Sequence, residues 1–74
     1  MRDLRSYLEI EKEGDLYFDN RDLIVAAFTY TRALKKARYS QNSKLDVKRI
    51  KNKIVKTNRL SLKDGRKYYK QIQF

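Results

Sequence analysis

Six carboxylates, Glu9, Glu11, Glu13, Asp15, Asp19 and Asp22, crowd the first part of this chain at spacings of two to four residues. Clusters of that kind can hold a divalent cation or pair two carboxylates for acid–base work. The spacing follows no EF-hand loop, however, and Glu9/Glu13 and Asp15/Asp19 are i,i+4 pairs that a helix would set on an outward face. The chain contains no His and no Cys, which removes the commonest general base, the thiol nucleophile and the usual zinc ligands together. Ser6, Ser40, Ser43 and Ser61 therefore have no imidazole to activate them, and there is neither a phosphate-cradling glycine loop nor an HExxH pair. The sequence reads as non-enzymatic, with no cofactor, no metal site and no catalytic residue. The carboxylates are better read as internal electrostatics, an acidic first helix set against a basic remainder.

The opposite charge dominates the rest of the chain. Residues 1–22 carry four basic side chains against seven acidic ones, a balance of −3, whereas residues 23–74 carry fifteen against two, a balance of +13 within a whole-chain charge of +10. So much uncompensated positive charge repels itself unless something acidic lies against it. The candidate contacts are Lys44, Lys48, Arg49, Lys51, Lys53, Lys56 and Arg59, followed by Arg66, Lys67 and Lys70. They could meet carboxylates or phosphates. Tyr39, Tyr68 and Tyr69 could add stacking or cation–π contacts, although covering the edge of a small core is the plainer role for them.

These side chains must be positioned by a single small domain. Seventy-four residues bury only about 60% of the unfolded surface, so the core is thin. Hydrophobic residues make up 41% and charged residues 38%, with no Pro and only two Gly. The low breaker content favours long helices joined by short loops, an all-α domain of three or four helices, over a turn-rich sandwich. No run approaches the ~20 apolar residues of a membrane span, and the N-terminus leads into no signal-like stretch. A cytoplasmic location is the expectation, in keeping with the missing cysteines.

A first helix is predicted over roughly 4–18, from Leu4, Tyr7, Leu8, Gly14, Tyr17 and Phe18 with Ile10 beside them. Asp19 and Asn20 break it and are the candidate N-caps of the next helix, with Asp22 in its first turn. The second helix, roughly 21–38, carries Leu23, Ala26, Ala27, Tyr30, Ala33, Leu34 and Ala37 on one face and Lys35, Lys36 and Arg38 in its last turn. A polar loop over 39–43 ends in Ser43 as N-cap, with Asp46 completing a variant capping box. The third helix, roughly 44–60, has a narrow stripe of Val47, Ile50 and Ile54 flanked by Leu45 and Val55. Residues 61–74 form a Tyr-rich basic tail. Ser61 to Asp64 would cap a short fourth helix there, while Asp64-Gly65 would suit a hairpin between Leu60–Leu62 and Tyr68–Ile72.

One constellation is more specific than composition. Gly14, Tyr17 and Phe18 are followed by Ala26, Tyr30 and Ala33, and Gly14 lets a second helix come close while Ala26 and Ala33 reciprocate. Over residues 5–38 this set resembles the helical hairpin of the tetratricopeptide (TPR) repeat, a unit of about 34 residues. The stretch from Glu11 to Phe18 is similar to the opening of a first repeat in co-chaperone-type TPR domains. Ile10 stands where that family prefers Trp, Glu13 where it prefers Leu, Arg21 where a turn glycine is common and Arg38 where a closing Pro is usual. The missing Pro leaves the second helix free to run on. No second copy follows at the family's period, so the hairpin must be closed by further helices or by a partner. The three-helix microtubule-interacting-and-transport (MIT) domains look similar in length and in the aromatic/alanine pairing.

The resemblance implies a binding module. The partner expected from the charge is an acidic protein or peptide docked by the basic C-terminal half, which makes the chain a small adaptor or regulator. A small basic nucleic-acid-binding regulator is the competing reading, and homo-oligomerisation is a third. The first two require Lys48, Arg49, Lys51, Lys53 and Lys56 to face outward.

Overall fold

The computed structural model describes residues 5–40 and 43–71, with side chains as far as Lys63. Three helices make up the all-α fold that the breaker-poor sequence predicts: α1 (Tyr7–Asp19), α2 (Leu23–Arg38) and α3 (Lys44–Gln71). No strand occurs among the described residues. α2 is the central helix and packs against both of the others. On the α1 side Asp15 meets Tyr30, and Arg5, just before α1, meets Lys36; on the α3 side Lys53 meets Tyr30, and Ser43, just before α3, meets Ala37. Numbers rise on one helix as they fall on the next, so the chain doubles back at each turn.

The first turn follows from one backbone conformation. Helix α1 begins at Ser6, whose Oγ accepts the Glu9 amide at 3.3 Å. It closes with the Arg21 amide on the Phe18 carbonyl and the Asp22 amide on the Tyr17 carbonyl, at 3.0 and 2.9 Å. This is the Schellman pattern, which needs a left-handed residue at its C′ position. Arg21 occupies that position with φ 65°. Asp19 and Asn20 therefore end α1 and do not cap α2. Asp22 takes the N-cap position of α2, and its side chain makes no capping hydrogen bond.

The core is as thin as the length predicts. It consists of Ile10, Leu23, Ala26, Tyr30, Ala33, Leu34, Ala37 and Ile50, with Tyr7, Tyr17, Phe18, Val47 and Ile54 half-buried around it. The face expected for α2 is the one it buries. On α1 the stripe is rotated from expectation: Ile10 is fully buried and Leu8 is exposed, because Ile10 joins Gly14 and Tyr17 at i, i+4, i+7. A Cβ on Gly14 would lie 2.6 Å from Cε1 and 2.7 Å from Cδ1 of Tyr30. The Tyr30 ring thus packs directly on Gly14.

The second turn and the last helix depart further from expectation. α2 does not run on past Arg38: amides of Tyr39 and Ser40 bond back to Lys36 and Ala37 in tight i−3 turns. The Ser43 hydroxyl, expected to cap α3, instead reaches the carbonyls of Ala37 at 2.5 Å and Ser40 at 2.8 Å. It serves the unsatisfied carbonyl end of α2. α3 passes through Ser61–Asp64 and Gly65 without a break, so no separate fourth helix and no hairpin forms before Gln71. One glycine costs a helix only about 1 kcal/mol, and propagation of a formed helix is far easier than a new nucleation. The buried line of α3 also continues beyond Ile54 to Thr57, fully buried with its hydroxyl on the Lys53 carbonyl at 2.7 Å.

Two substitutions test this account by thermal unfolding. Arg21→Gly should raise stability by roughly 0.5–1 kcal/mol, since relief of the left-handed strain exceeds the entropy that glycine adds to the unfolded chain. Gly14→Ala should lower it by about 1–3 kcal/mol through overpacking against Tyr30, despite the roughly 1 kcal/mol that alanine gains in helix propensity.

Candidate interaction surface

Helices α1 and α3 are joined by a ladder of polar side chains in which Glu11 is buried and Arg49, Lys53 and Asp15 stay partly exposed. Glu11 is buried to 5% exposure in the face of α1. Arg49 grips it with both arms of its guanidinium, Nε to Oε2 at 2.9 Å and Nη2 to Oε1 at 2.7 Å. Lys53 Nζ reaches Oε2 at 2.7 Å. One turn along, Asp15 accepts Lys53 at 3.0 Å and the Tyr30 hydroxyl at 2.5 Å, while Lys53 lies 5.7 Å from the centre of the Tyr30 ring. At the other end Asp46 accepts Arg49 Nη1 at 2.5 Å and the Tyr7 hydroxyl. Tyr7, Glu11 and Asp15 are one turn apart on α1, and Asp46, Arg49 and Lys53 answer them on α3, so these two helices run the same way.

Each group is held in its charged or donating form. The paired Arg49 holds the Glu11 carboxyl below its ordinary value against the opposing effect of burial, and Lys53 adds to this. The Tyr7 hydroxyl, then Arg49, lower Asp46. Burial pulls Lys53 down, but its bonds to Glu11 and Asp15 outweigh this and raise it. The phenol of Tyr30 is raised by burial first and by Asp15 second, and that of Tyr7 by Asp46 first and burial second.

The predicted contact residues divide accordingly. Arg49 and Lys53, expected to face a partner, are engaged in intramolecular ion pairs with Glu11 and Asp15; of the carboxylates expected on the outer face of α1, Asp15 turns to Lys53, Glu13 pairs with Arg5, and Glu9 and Asp19 are exposed. Lys44, Lys48, Lys51, Lys56 and Arg59 are exposed. Among the described residues none of them is in an ion pair, and Lys56 places its ammonium 5.6 Å from the Phe18 ring centre. Tyr39 is 84% exposed, so it covers no core edge. Arg66, Lys67, Tyr68, Tyr69 and Lys70 lie on the continuation of α3, with side chains outside the described residues.

The surface contains more than the lysine pattern announced. Exposed Lys35 and Arg38, read from the sequence as dipole complements of α2, lie in its last turn, just before the loop to α3. Ile24 and Phe28 of α2 and Val55 and Leu62 of α3 are exposed too, and Ile24 and Phe28 line one cavity with Ile54, Asn58 and Ser61 of α3. The i, i+4, i+7 relation of these exposed apolar residues to the cations is the signal in the sequence that marks them. Among the described residues no helix is long and apolar enough to cross a membrane. Compared with family models, curated proteins and solved structures, the chain matches none. The TPR and MIT likenesses accordingly rest on the residues that carry them.

The ladder fixes the response to acid. Glu11 and Asp46 titrate below their ordinary values in the fold, so their contribution is complete above about pH 4.5 and lost as pH falls through the folded values. Glu11→Gln should flatten the fall of the urea midpoint between neutral pH and acid. Arg49→Met, which leaves a buried carboxylate with Lys53 alone, should destabilise the protein at neutral pH by roughly 1–3 kcal/mol.

Proposed function

We propose that this protein is a non-enzymatic interaction module, an adaptor or regulator, that docks an acidic protein surface or peptide on the outer side of α3. The observation that carries the reading is the sorting of charge. Glu11 and Asp15 of α1 are paired with Arg49 and Lys53, while Lys44, Lys48, Lys51, Arg59 and Lys63 are exposed on α3. Among the described residues those five have no ion-pair partner. Desolvated contacts to a carboxylate-bearing partner would relieve their mutual repulsion. As part of this reading, residues 5–38 are a TPR-like hairpin, supported by Gly14 beneath Tyr30 and by buried Ala26 and Ala33.

Nucleic acid is the competing partner, and the row of cations along a 28-residue helix favours it. The exposed apolar side chains beside that row favour protein, since phosphates would make no use of them. Fluorescence titrations with an acidic peptide and with a random-sequence duplex, each repeated across salt, distinguish the two. The module reading expects peptide binding that survives moderate salt. Nucleic-acid binding through Lys44, Lys48, Lys51, Lys56, Arg59 and Lys63 would instead give a log–log salt slope of about −5 with the duplex. Lys48→Glu combined with Lys51→Glu should weaken the peptide roughly tenfold or more with helicity unchanged; unaltered binding would remove α3 from the site.

A further inference from the structure

We propose that the outward groove between α2 and α3 is the seat of an amphipathic helix whose apolar side is accompanied by carboxylates. The proposal rests on the reading of an acidic protein partner and names the form that partner takes.

Two rows of exposed side chains share the helix faces that carry the groove's lining. On α2 the row is Ile24, Phe28, Thr31, Lys35 and Arg38, and on α3 it is Lys44, Lys48, Lys51, Val55, Asn58 and Leu62; Ile24, Phe28, Thr31 and Asn58 line the groove itself. Each row repeats at i, i+4, i+7, the interval of one helix face. Each is basic at one end and apolar at the other. Because α2 and α3 run in opposite directions, the like ends coincide. Ile24 and Phe28 come opposite Ile54, Asn58 and Ser61 around a shallow cavity of about 290 Å³, and the Lys35/Arg38 end adjoins the start of α3 at Lys44. The groove is thus divided into an apolar half and a cationic half.

The apolar half is uncovered. Ile24 is 66% exposed, Phe28 69% and Leu62 66%, values out of keeping with side chains that only trim a core. The cavity lies just below the roughly 300–1,000 Å³ typical of small-molecule pockets and suits one or two large side chains of a partner. The cationic half has no carboxylate of its own: α2 contains no Asp or Glu, and Asp46 of α3 is turned toward Tyr7 and Arg49. Charge complementarity therefore selects an acidic occupant, and the parallel rows select a helix lying along them, the helix-in-groove mode. From Ile24 to Arg38 the groove is about 21 Å long, which takes some four turns. The fitting partner carries large apolar residues at i, i+3/i+4 toward one end and Asp or Glu toward the other. A second copy of this chain is a poor match, because at +10 it would bring lysines against lysines.

The test uses the full chain and a set of fifteen-residue helical peptides of identical Leu and Glu content. In one group the Leu residues share a face, in all registers and in both orientations relative to the Glu residues. In the other they are scattered, and an oligo-Glu peptide reports charge alone. The expected result is that at least one segregated peptide binds roughly tenfold tighter than every scattered one and retains that preference in high salt. Phe28→Ser, a change at an exposed position, should abolish the preference while leaving oligo-Glu binding and helicity intact. If segregated and scattered peptides bind alike and Phe28→Ser changes nothing, the groove proposal is overturned while the acidic-partner reading stands. If no acidic peptide binds, both fall. A dimer in sedimentation that Phe28→Ser dissolves would assign the groove to a second copy. Adsorption to phosphatidylserine vesicles that depends on Phe28, without any peptide preference, would assign it to a lipid surface. Either result would overturn the proposal.

Discussion

The buried carboxylate of Glu11 is the constraint around which the molecule is arranged. An unpaired charge at 5% exposure would be prohibitive, so the fold must bring cations to it, and Arg49 and Lys53 come from two helices further along the chain to do so. Helices α1 and α3 both pack on α2 and scarcely on each other. What joins them is this ladder, with hydroxyls of Tyr7 and Tyr30 completing the bonding. A hydrophobic pair at the same place would contribute comparable stability without fixing which residue faces which. Here the ladder sets the register of α3 against α1, and hence which lysines are left outside.

That choice of register separates two kinds of positive charge. Arg49 and Lys53 are structural, and their protonation is reinforced by the carboxylates they hold. Lys44, Lys48, Lys51 and Arg59, on the same helix but rotated away, are exposed and form no ion pair among the described residues. The acidic first segment of the chain therefore neutralises only part of the basic remainder. What is left is concentrated on one side, next to the uncovered apolar residues of α2 and α3.

Much of this architecture was legible. The absence of Pro and the scarcity of Gly pointed to helices, and α2 shows the buried face its alanines and leucines spelled out. Gly14 marked a close crossing because only a residue without a side chain fits there. Other features were opaque for physical reasons. Leu8 and Ile10 are equally apolar, and only the packing of Tyr30 on Gly14 sets the rotation that buries one and exposes the other. Glu11 could not be placed in the core without knowing that Arg49 would reach it. Thr57 hides in the apolar stripe because its own helix satisfies its hydroxyl, so a polar letter stands at a buried position. Arg21 is not a residue type that favours a left-handed turn, and only the turn glycine of the TPR pattern marked its position; the 60–65 stretch, rich in cap-like residues, reads as a boundary although a growing helix passes through it at small cost.

The order of contacts along the chain has a bearing on assembly. α1 meets α2 across a three-residue turn and α2 meets α3 across an equally local one, so both pairings close short loops and impose little entropy. The ladder is different, since Glu11 and Arg49 are 38 residues apart. The first two helices can associate before the remainder is in place, leaving the inward carboxylates wet until α3 arrives. Docking of α3 is then an encounter between an acidic platform and a cationic rod, drawn together over a distance set by ionic strength. The long-range attraction that guides the chain to its own last helix is the same force the exposed lysines would exert on a visitor.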